Sequence, residues 1–449
     1  MSDAGLFDGV LARGGVREQT SDRAWLRAML DFEAALARAE ARAGLFPSED
    51  AAAIARACRE ETFDIAALGE EAALTGNPVP PLVRALARAV GGRAGGQVHR
   101  GATSQDALDT AAMLVARRSL DGLLADLAAA ADAVAVLAST HRATLMAGRT
   151  LLQQALPIPF GLLAAAWLTG LDDTAERLAV IRRERLAVQF GGAVGTLASL
   201  GAAGPRVLAF LAEDLDLPAP LMPWHAVRTR IGELAGALGA AAGSIGKAAR
   251  DITLLAQTEV GELRERDEGS GGSSPLPHKR NPIAAISAAG CATRAPGLVA
   301  TLLAAMVQEH SRAAGNWHAE WRPLSDLLVV VGSAGAWLRE SLARLEVDGE
   351  RMRGNLALTG GLLLAERVTA ALLPALGRQP AHDAVASACR VASETGQPFA
   401  DALAAHPEIG AHLARSEIST LLDPAGYLGS AALFIDRALD HHRALGARA

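Results

Sequence analysis

Lysine is almost missing from this chain: of its 43 basic residues, all but Lys247 and Lys279 are arginine. Aromatic residues make up only 4%, with a single tyrosine, Tyr427. Runs of Val, Ile, Thr and Tyr of the kind that build strands are nearly absent, which argues against a sheet-based fold. Cysteine is scarce too. Cys58, Cys291 and Cys389 are widely separated and odd in number, which excludes a disulfide framework and a zinc cluster and fits buried free thiols in a reducing compartment. The formal net charge of -6 argues against a generally basic nucleic-acid surface. No basic segment followed by an apolar core opens the chain, so no secretion signal is expected. The longest apolar runs, such as 160–171, are shorter than the roughly 18 residues that span a bilayer. The expectation is a soluble cytoplasmic protein with no nucleic-acid and no membrane partner.

What is present is Ala, Leu, Arg and Glu in abundance, residues that lose little side-chain freedom in a helix. The fold class expected is all-α. The length of 449 residues exceeds one ordinary core, and three segments suggest themselves. Residues 1–105 carry short helices broken by Gly and Pro, residues 106–350 carry long ones, and residues 351–449 return to short ones. Helices are expected over 20–43, 48–57, 106–141, 158–186, 227–266, 282–314 and 323–345. The 227–266 stretch places Ile231, Leu234, Leu238, Ala241, Ile245, Ala248, Ile252 and Leu255 at alternating steps of three and four, a heptad seam. A single chain is expected to leave that seam partly exposed. Five glycines, at 232, 236, 239, 243 and 246, lie in the same stretch. Each costs up to about 1 kcal/mol there, so close helix approach is expected in return.

Residues 272–282 read Gly-Ser-Ser-Pro-Leu-Pro-His-Lys-Arg-Asn-Pro after a glycine-rich approach. Ser273 and Ser274 are adjacent hydroxyls. Lys279, one of the two lysines, is a compact point charge, and Asn281-Pro282 is a helix start with an amide cap. Paired hydroxyls, fixed positive charge and a helix N-terminus suit an anion and a proton transfer. Two further stretches carry chemistry. In 97–106, Thr103 and Ser104 enter a helix whose first turns hold Asp106 and Asp109, and His99 stands four residues earlier. In 148–157, Gly-Arg-Thr-Leu-Leu-Gln-Gln-Ala-Leu-Pro, the polar residues are Arg149, Thr150, Gln153 and Gln154. Elsewhere, Arg322 reads as the partner of Glu320 or Glu309, with a role in binding a further carboxylate as the alternative, Trp317 and Trp321 as helix-face packing, and His278 as solvent-facing.

The 272–282 loop resembles the fumarase/aspartase superfamily signature Gly-Ser-Ser-x-Met-Pro-x-Lys-x-Asn-Pro, with Leu276 in place of Met. Thr103-Ser104-Gln105-Asp106 resembles that superfamily's carboxylate-binding Thr-Ser motif, and 148–157 its Gly-Arg-Thr-His-x-Gln-x-Ala-x-Pro. The resemblance implies a tetramer built on a long helical core, each active site being shared by three subunits. It also implies that Ser273 and Lys279 are catalytic. Substrate contacts would come from His99, Thr103, Ser104, Arg149, Thr150, Gln153, Ser274 and Asn281, with no cofactor and no metal. His99 resembles a substrate-site histidine of adenylosuccinate lyases.

Two departures matter. Leu151 stands where the superfamily's catalytic histidine is usual, and Ile286 where its partner glutamate is usual. Hydroxyl and amine leaving groups need a proton, whereas a carboxylate, with pKa ~4, is a stable anion by itself. One branch of the superfamily works this way: the bacterial 3-carboxy-cis,cis-muconate cycloisomerases, in which a carboxylate of the tricarboxylate substrate closes a lactone ring. The chain resembles that branch over nearly its whole length, including 316–321 and 423–429. A β-eliminating lyase of the adenylosuccinate type, and a non-catalytic protein on the same scaffold, stay open as alternatives.

Overall fold

A computed structural model describes residues 5–266, 276 and 278–447. The fold is all-α. The principal helices are α1 (Asp22–Arg42), α2 (Ser104–Thr140), α3 (Phe160–Val180), α4 (Thr229–Leu255), α5 (Ile283–Ala305) and α6 (Asn316–Ala343). Helix α1 starts where the Ser21 hydroxyl accepts the Ala24 N–H at 3.2 Å, a side-chain cap that satisfies one orphan donor of the first turn. The short helix over Ser48–Ala57 has the bounds that the sequence suggests.

Elsewhere the boundaries differ from the periodic pattern, and the reasons are local. Ile158 does not open α3, because Gln153–Pro159 pairs as a strand with Leu145–Thr150. Helix α4 stops at Leu255, before Gly261 turns the chain with a φ of +60° and Leu263–Glu265 pairs with Leu345–Val347. Helix α5 ends at Ala305 rather than 314, and α6 begins at Asn316, with Pro323 inside it. We name the strands β1 (Leu145–Thr150), β2 (Gln153–Pro159), β3 (Leu263–Glu265) and β4 (Leu345–Val347); they form two antiparallel two-stranded ribbons. Gly148 sits at a bulge in β1, where a Cβ would lie 2.8 Å from the Leu156 carbonyl oxygen.

Two compact units divide the chain. One combines Met1–Ala129, Asp173–Lys247 and Ile286–Arg339; the other combines Ala130–Asp172, Ala248–Ala285 and Glu340–Ala449. In the first, the inward face of α1 buries Leu26, Leu30, Phe32 and Leu36. Three of the five α4 glycines do what their cost requires. A Cβ at Gly232, Gly239 or Gly246 would meet Met306 at 2.5 Å, Val299 at 3.0 Å or Ala292 at 3.2 Å. The contacts step by seven residues on both helices, as antiparallel heptad packing demands. Gly236 and Gly243 meet nothing within 4 Å. In the second unit a C-terminal core gathers Val368, Leu372, Val385, Phe399, Leu403, Ile409 and Ile418.

The α4 seam is not left exposed. All eight of its residues, from Ile231 to Leu255, are buried within the single chain. Exposed apolar surface lies instead on α2 and α5. Each contains an 18-residue window long and apolar enough, by length and composition, to cross a membrane, although only 33% and 39% of those windows are buried. The expectation that no segment reaches that length is therefore corrected: the run is interrupted in sequence but continuous as a helix.

Candidate active site

In the first unit, Thr103 and Ser104 are half-buried at the start of α2. Asp106, one turn in, is fully buried and ties this turn to the 191–192 loop. Its carboxylate accepts from the Thr103 N–H at 3.0 Å, Gly191 N–H at 3.0 Å and Gly192 N–H at 2.9 Å. The His225 Nε2 lies 2.7 Å from the same carboxylate. Asp106 thus caps its own helix and also anchors a distant loop. A second buried cluster lies behind it. The Arg228 guanidinium bonds Asp109 at 2.7 and 3.0 Å and Glu320 at 2.5 Å, while the Trp317 indole N–H donates to Asp109 at 3.0 Å. Burial works against the Arg228 charge, but the two carboxylates outweigh it and raise its pKa. Glu320 is therefore not the partner of Arg322, which is 81% exposed and, among the described residues, pairs with Asp326 at 3.9 Å. Trp317 and Trp321 pack edge to face at 5.0 Å, as helix-face residues do.

His99 adopts a left-handed conformation, φ +59°, which is uncommon outside glycine. Its Nδ1 lies 2.6 Å from a carboxylate oxygen of buried Glu33 on α1. Burial disfavours the imidazolium, yet Glu33 more than compensates and the His99 pKa is raised.

The second unit holds the other motif residues. Strands β1 and β2 form a hairpin in which Thr150 pairs with Gln153, leaving Leu151 and Leu152 as its two-residue turn. Both leucines have positive φ, +51° and +64°, as a type I′ turn requires; Asn-Gly is the usual solution there. Both are exposed, Leu151 at 97%. Thr150 and Gln153 flank them, also exposed. Local stability would not select two exposed, strained leucines at a tip.

Arg149, paired with Gln154 one rung from the tip of that hairpin, is engaged elsewhere. Its guanidinium makes a bidentate pair with fully buried Glu262, at 2.9 and 2.7 Å, and the Asn355 amide donates to the same carboxylate at 2.7 Å. Its place is that of an anchor for the hairpin. Three residues further on, Glu265 accepts the Ala284 and Ala285 N–H groups at 3.1 and 2.9 Å, and the Ser341 hydroxyl at 2.6 Å. The opening amides of α5 are thus capped by a protein carboxylate. This revises the idea that the helix start behind Asn281 lies open to a substrate anion. Lys279 is exposed and Asn281 half-buried just before that helix, and His278 is exposed. Ile286, in its first turn, is 47% exposed. Ser273 and Ser274 lie outside the described residues.

Sequence reasoning missed Glu33, His225, Arg228, Glu262 and Glu265. All are polar residues whose partners are distant in sequence, and no spacing along the chain signals them. Cys58 and Cys291 are buried free thiols and Cys389 is half-buried; burial pushes the Cys58 thiol up to about 12.

Comparison with known proteins bears on this geometry. Residues 12–297 match the family model described as Lyase, and residues 361–438 that described as Adenylosuccinate lyase C-terminus. The chain belongs to the lyase family within the fumarase/aspartase superfamily. It is 48% identical to a 3-carboxy-cis,cis-muconate cycloisomerase of Bradyrhizobium diazoefficiens, over 97% of each chain. It is 43% identical to a nitrosuccinate lyase of Streptomyces davaonensis, over 97% of this chain and 94% of the relative. Its fold matches the crystal structure of a 3-carboxy-cis,cis-muconate lactonizing enzyme from Pseudomonas putida with a TM-score of 0.91 at 45% identity. That match covers 98% of this chain and 99% of the other.

Proposed function

We propose that this protein is a 3-carboxy-cis,cis-muconate cycloisomerase, producing 4-carboxymuconolactone in the breakdown of protocatechuate-type aromatic acids. The observation that carries the reading is the hairpin tip. An aliphatic pair, Leu151-Leu152, is held in a strained turn between Thr150 and Gln153, where related lyases present a histidine. Such a tip presents hydroxyl and amide groups on either side of an aliphatic pair, but the pair itself can neither give nor take a proton. A reaction whose nucleophile or leaving group is a carboxylate suits it, because that group needs no proton. Similarity to the cycloisomerases over 97% of the chain supports the same conclusion.

In the reaction, one substrate carboxylate oxygen bonds to a carbon of the diene, and the electron pair moves into an enolate-like (aci-carboxylate) system. The adjacent carbon then takes a proton, so that product and substrate are isomers. Ser273 is the proposed carrier of that proton, with Lys279 stabilising its alkoxide. Because Glu265 already caps α5, the field comes from Lys279 and the loop rather than from the helix terminus. Thr103, Ser104, Thr150, Gln153, Ser274 and Asn281 would hold the carboxylates.

The assembly is proposed to be a cytoplasmic homotetramer with shared sites. The apolar faces of α2 and α5, largely uncovered in one chain, support this, because neighbouring subunits would bury them. An ultraviolet assay of the purified protein tests the activity. It should consume 3-carboxy-cis,cis-muconate and leave adenylosuccinate and nitrosuccinate unchanged. Turnover of either of the latter, without the first, overturns the proposal.

A further inference from the structure

Helix α1 contributes more to the site region than packing. Glu33 and Glu40, two turns apart on α1, are fully buried acidic side chains, 2% and 0% exposed. Glu33 presents one oxygen to His99 Nδ1 at 2.6 Å, and its other oxygen has no hydrogen-bond partner among the described residues. With Glu33 ionised, its oxygens accept only, so Nδ1 carries the proton in this pair and Nε2 is left as the variable position of the ring. The His99 side chain is 15% exposed, so the far side of the ring is accessible. The strained backbone at His99 holds this arrangement four residues before Thr103.

We propose that Glu33 is a positioning residue that fixes the Nδ1–H form of His99 and supplies the counter-charge for a protonated Nε2–H, which then donates to a substrate carboxylate. The proposal rests on the cycloisomerase reading for its substrate, but not for the state of His99 itself. Negative charge beside a histidine favours its protonated form, and an incoming tricarboxylate would favour it further. The groups around the pair are Glu33 and Glu40 on α1, Cys58 after the Ser48–Ala57 helix, Arg100 next to His99, and Asp106 on α2. Arg100 bonds the Leu45 carbonyl and Gln97, and Asp106 is held by backbone amides and His225. Glu33 is therefore the acid in direct contact with His99.

The test compares wild type with Glu33→Gln and Glu33→Asp in the full-length protein. Reaction of His99 with diethyl pyrocarbonate, followed peptide by peptide by mass spectrometry across pH 5–9, reads its protonation without any substrate. Glu33→Gln keeps the hydrogen-bonding shape but loses the charge, and should lower the His99 midpoint by about one unit. Glu33→Asp should keep most of the wild-type value. In kinetics, Glu33→Gln should raise KM for the tricarboxylate about 10-fold at pH 8, with little change in kcat, and the defect should shrink towards pH 6. In a His99→Gln background the same change should add nothing. An unchanged His99 midpoint in Glu33→Gln, or an equal kinetic loss in the His99→Gln background, overturns the proposal. If the tricarboxylate is not turned over at all, the cycloisomerase reading fails while the midpoint still decides the role of Glu33.

Discussion

Arg149 and Glu262 are 113 residues apart in sequence, yet the guanidinium of one spans both carboxylate oxygens of the other, at 2.9 and 2.7 Å. Glu262 is completely buried, and Glu265, three residues later, caps α5. A single short stretch thus secures both the hairpin that carries Thr150 and Gln153 and the helix that follows Lys279 and Asn281. Arg149→Ala leaves a buried carboxylate without its cation, which typically costs about 3–5 kcal/mol. Replacing both partners with apolar residues, as in Arg149→Met with Glu262→Leu, should cost less. Denaturant titration of the two variants checks this; equal losses would mean that the pair is not the anchor described.

Ser273→Ala should lower turnover by at least about 10²-fold, the low end for removing an acid–base group, without unfolding the protein. Steady-state kinetics with circular dichroism on the same preparations decides it. Loss from Ser274→Ala, with Ser273→Ala near wild type, would assign the proton to the other hydroxyl.

Shared sites predict complementation. Thr103→Ala and Ser273→Ala, each inactive alone, should regain part of the activity when mixed and reassembled, because a hybrid tetramer contains sites with neither lesion. Sedimentation velocity should give a tetramer at assay concentration. A fully active monomer would overturn the assembly.

Restoring the lyase pair should not help. Leu151→His with Ile286→Glu is expected to leave kcat/KM for the tricarboxylate unchanged or lower, since a carboxylate nucleophile needs no general acid. Ile286→Glu alone should be worse than the double change, because in a site closed by neighbouring subunits its charge would lack the histidine partner that the double change supplies. A gain in kcat/KM in either variant would show that a missing acid limits the enzyme.

Glu40 predicts a pH effect on stability. Its side chain is fully buried, and neither oxygen has a hydrogen-bond partner among the described residues. Burial pushes its carboxyl up to about 8, with Arg100 pulling down and Glu33 pushing further up. In the unfolded chain the group loses its proton near 4.5. The native state is therefore favoured below that value and loses stability as pH rises towards 8, by a few kcal/mol at about 1.4 kcal/mol per unit. Glu40→Gln has no such proton to lose. Its Tm advantage over wild type should be small at pH 5 and grow up to pH 8, and a pH-independent difference would contradict the assignment.

Much of this protein is legible along the chain. Helical composition, the heptad steps of α4, the Ser48–Ala57 helix and the lyase-like motifs are local patterns, governed by residue type at fixed short spacing. The absences at Leu151 and Ile286 were equally plain, because a motif position is visible even when its usual occupant is not there. Tertiary structure alone decided the rest. It buried the α4 seam inside one chain and left α2 and α5 with uncovered apolar faces. It folded 145–159 into a hairpin with leucines in left-handed conformations at its tip. It gave Arg149 to Glu262, the α5 amides to Glu265, and His99 to Glu33. The physical reason is common to all of these. A buried charge must find a partner, and a buried amide an acceptor, wherever the packed chain brings one within about 3 Å, and that proximity has no period along the sequence.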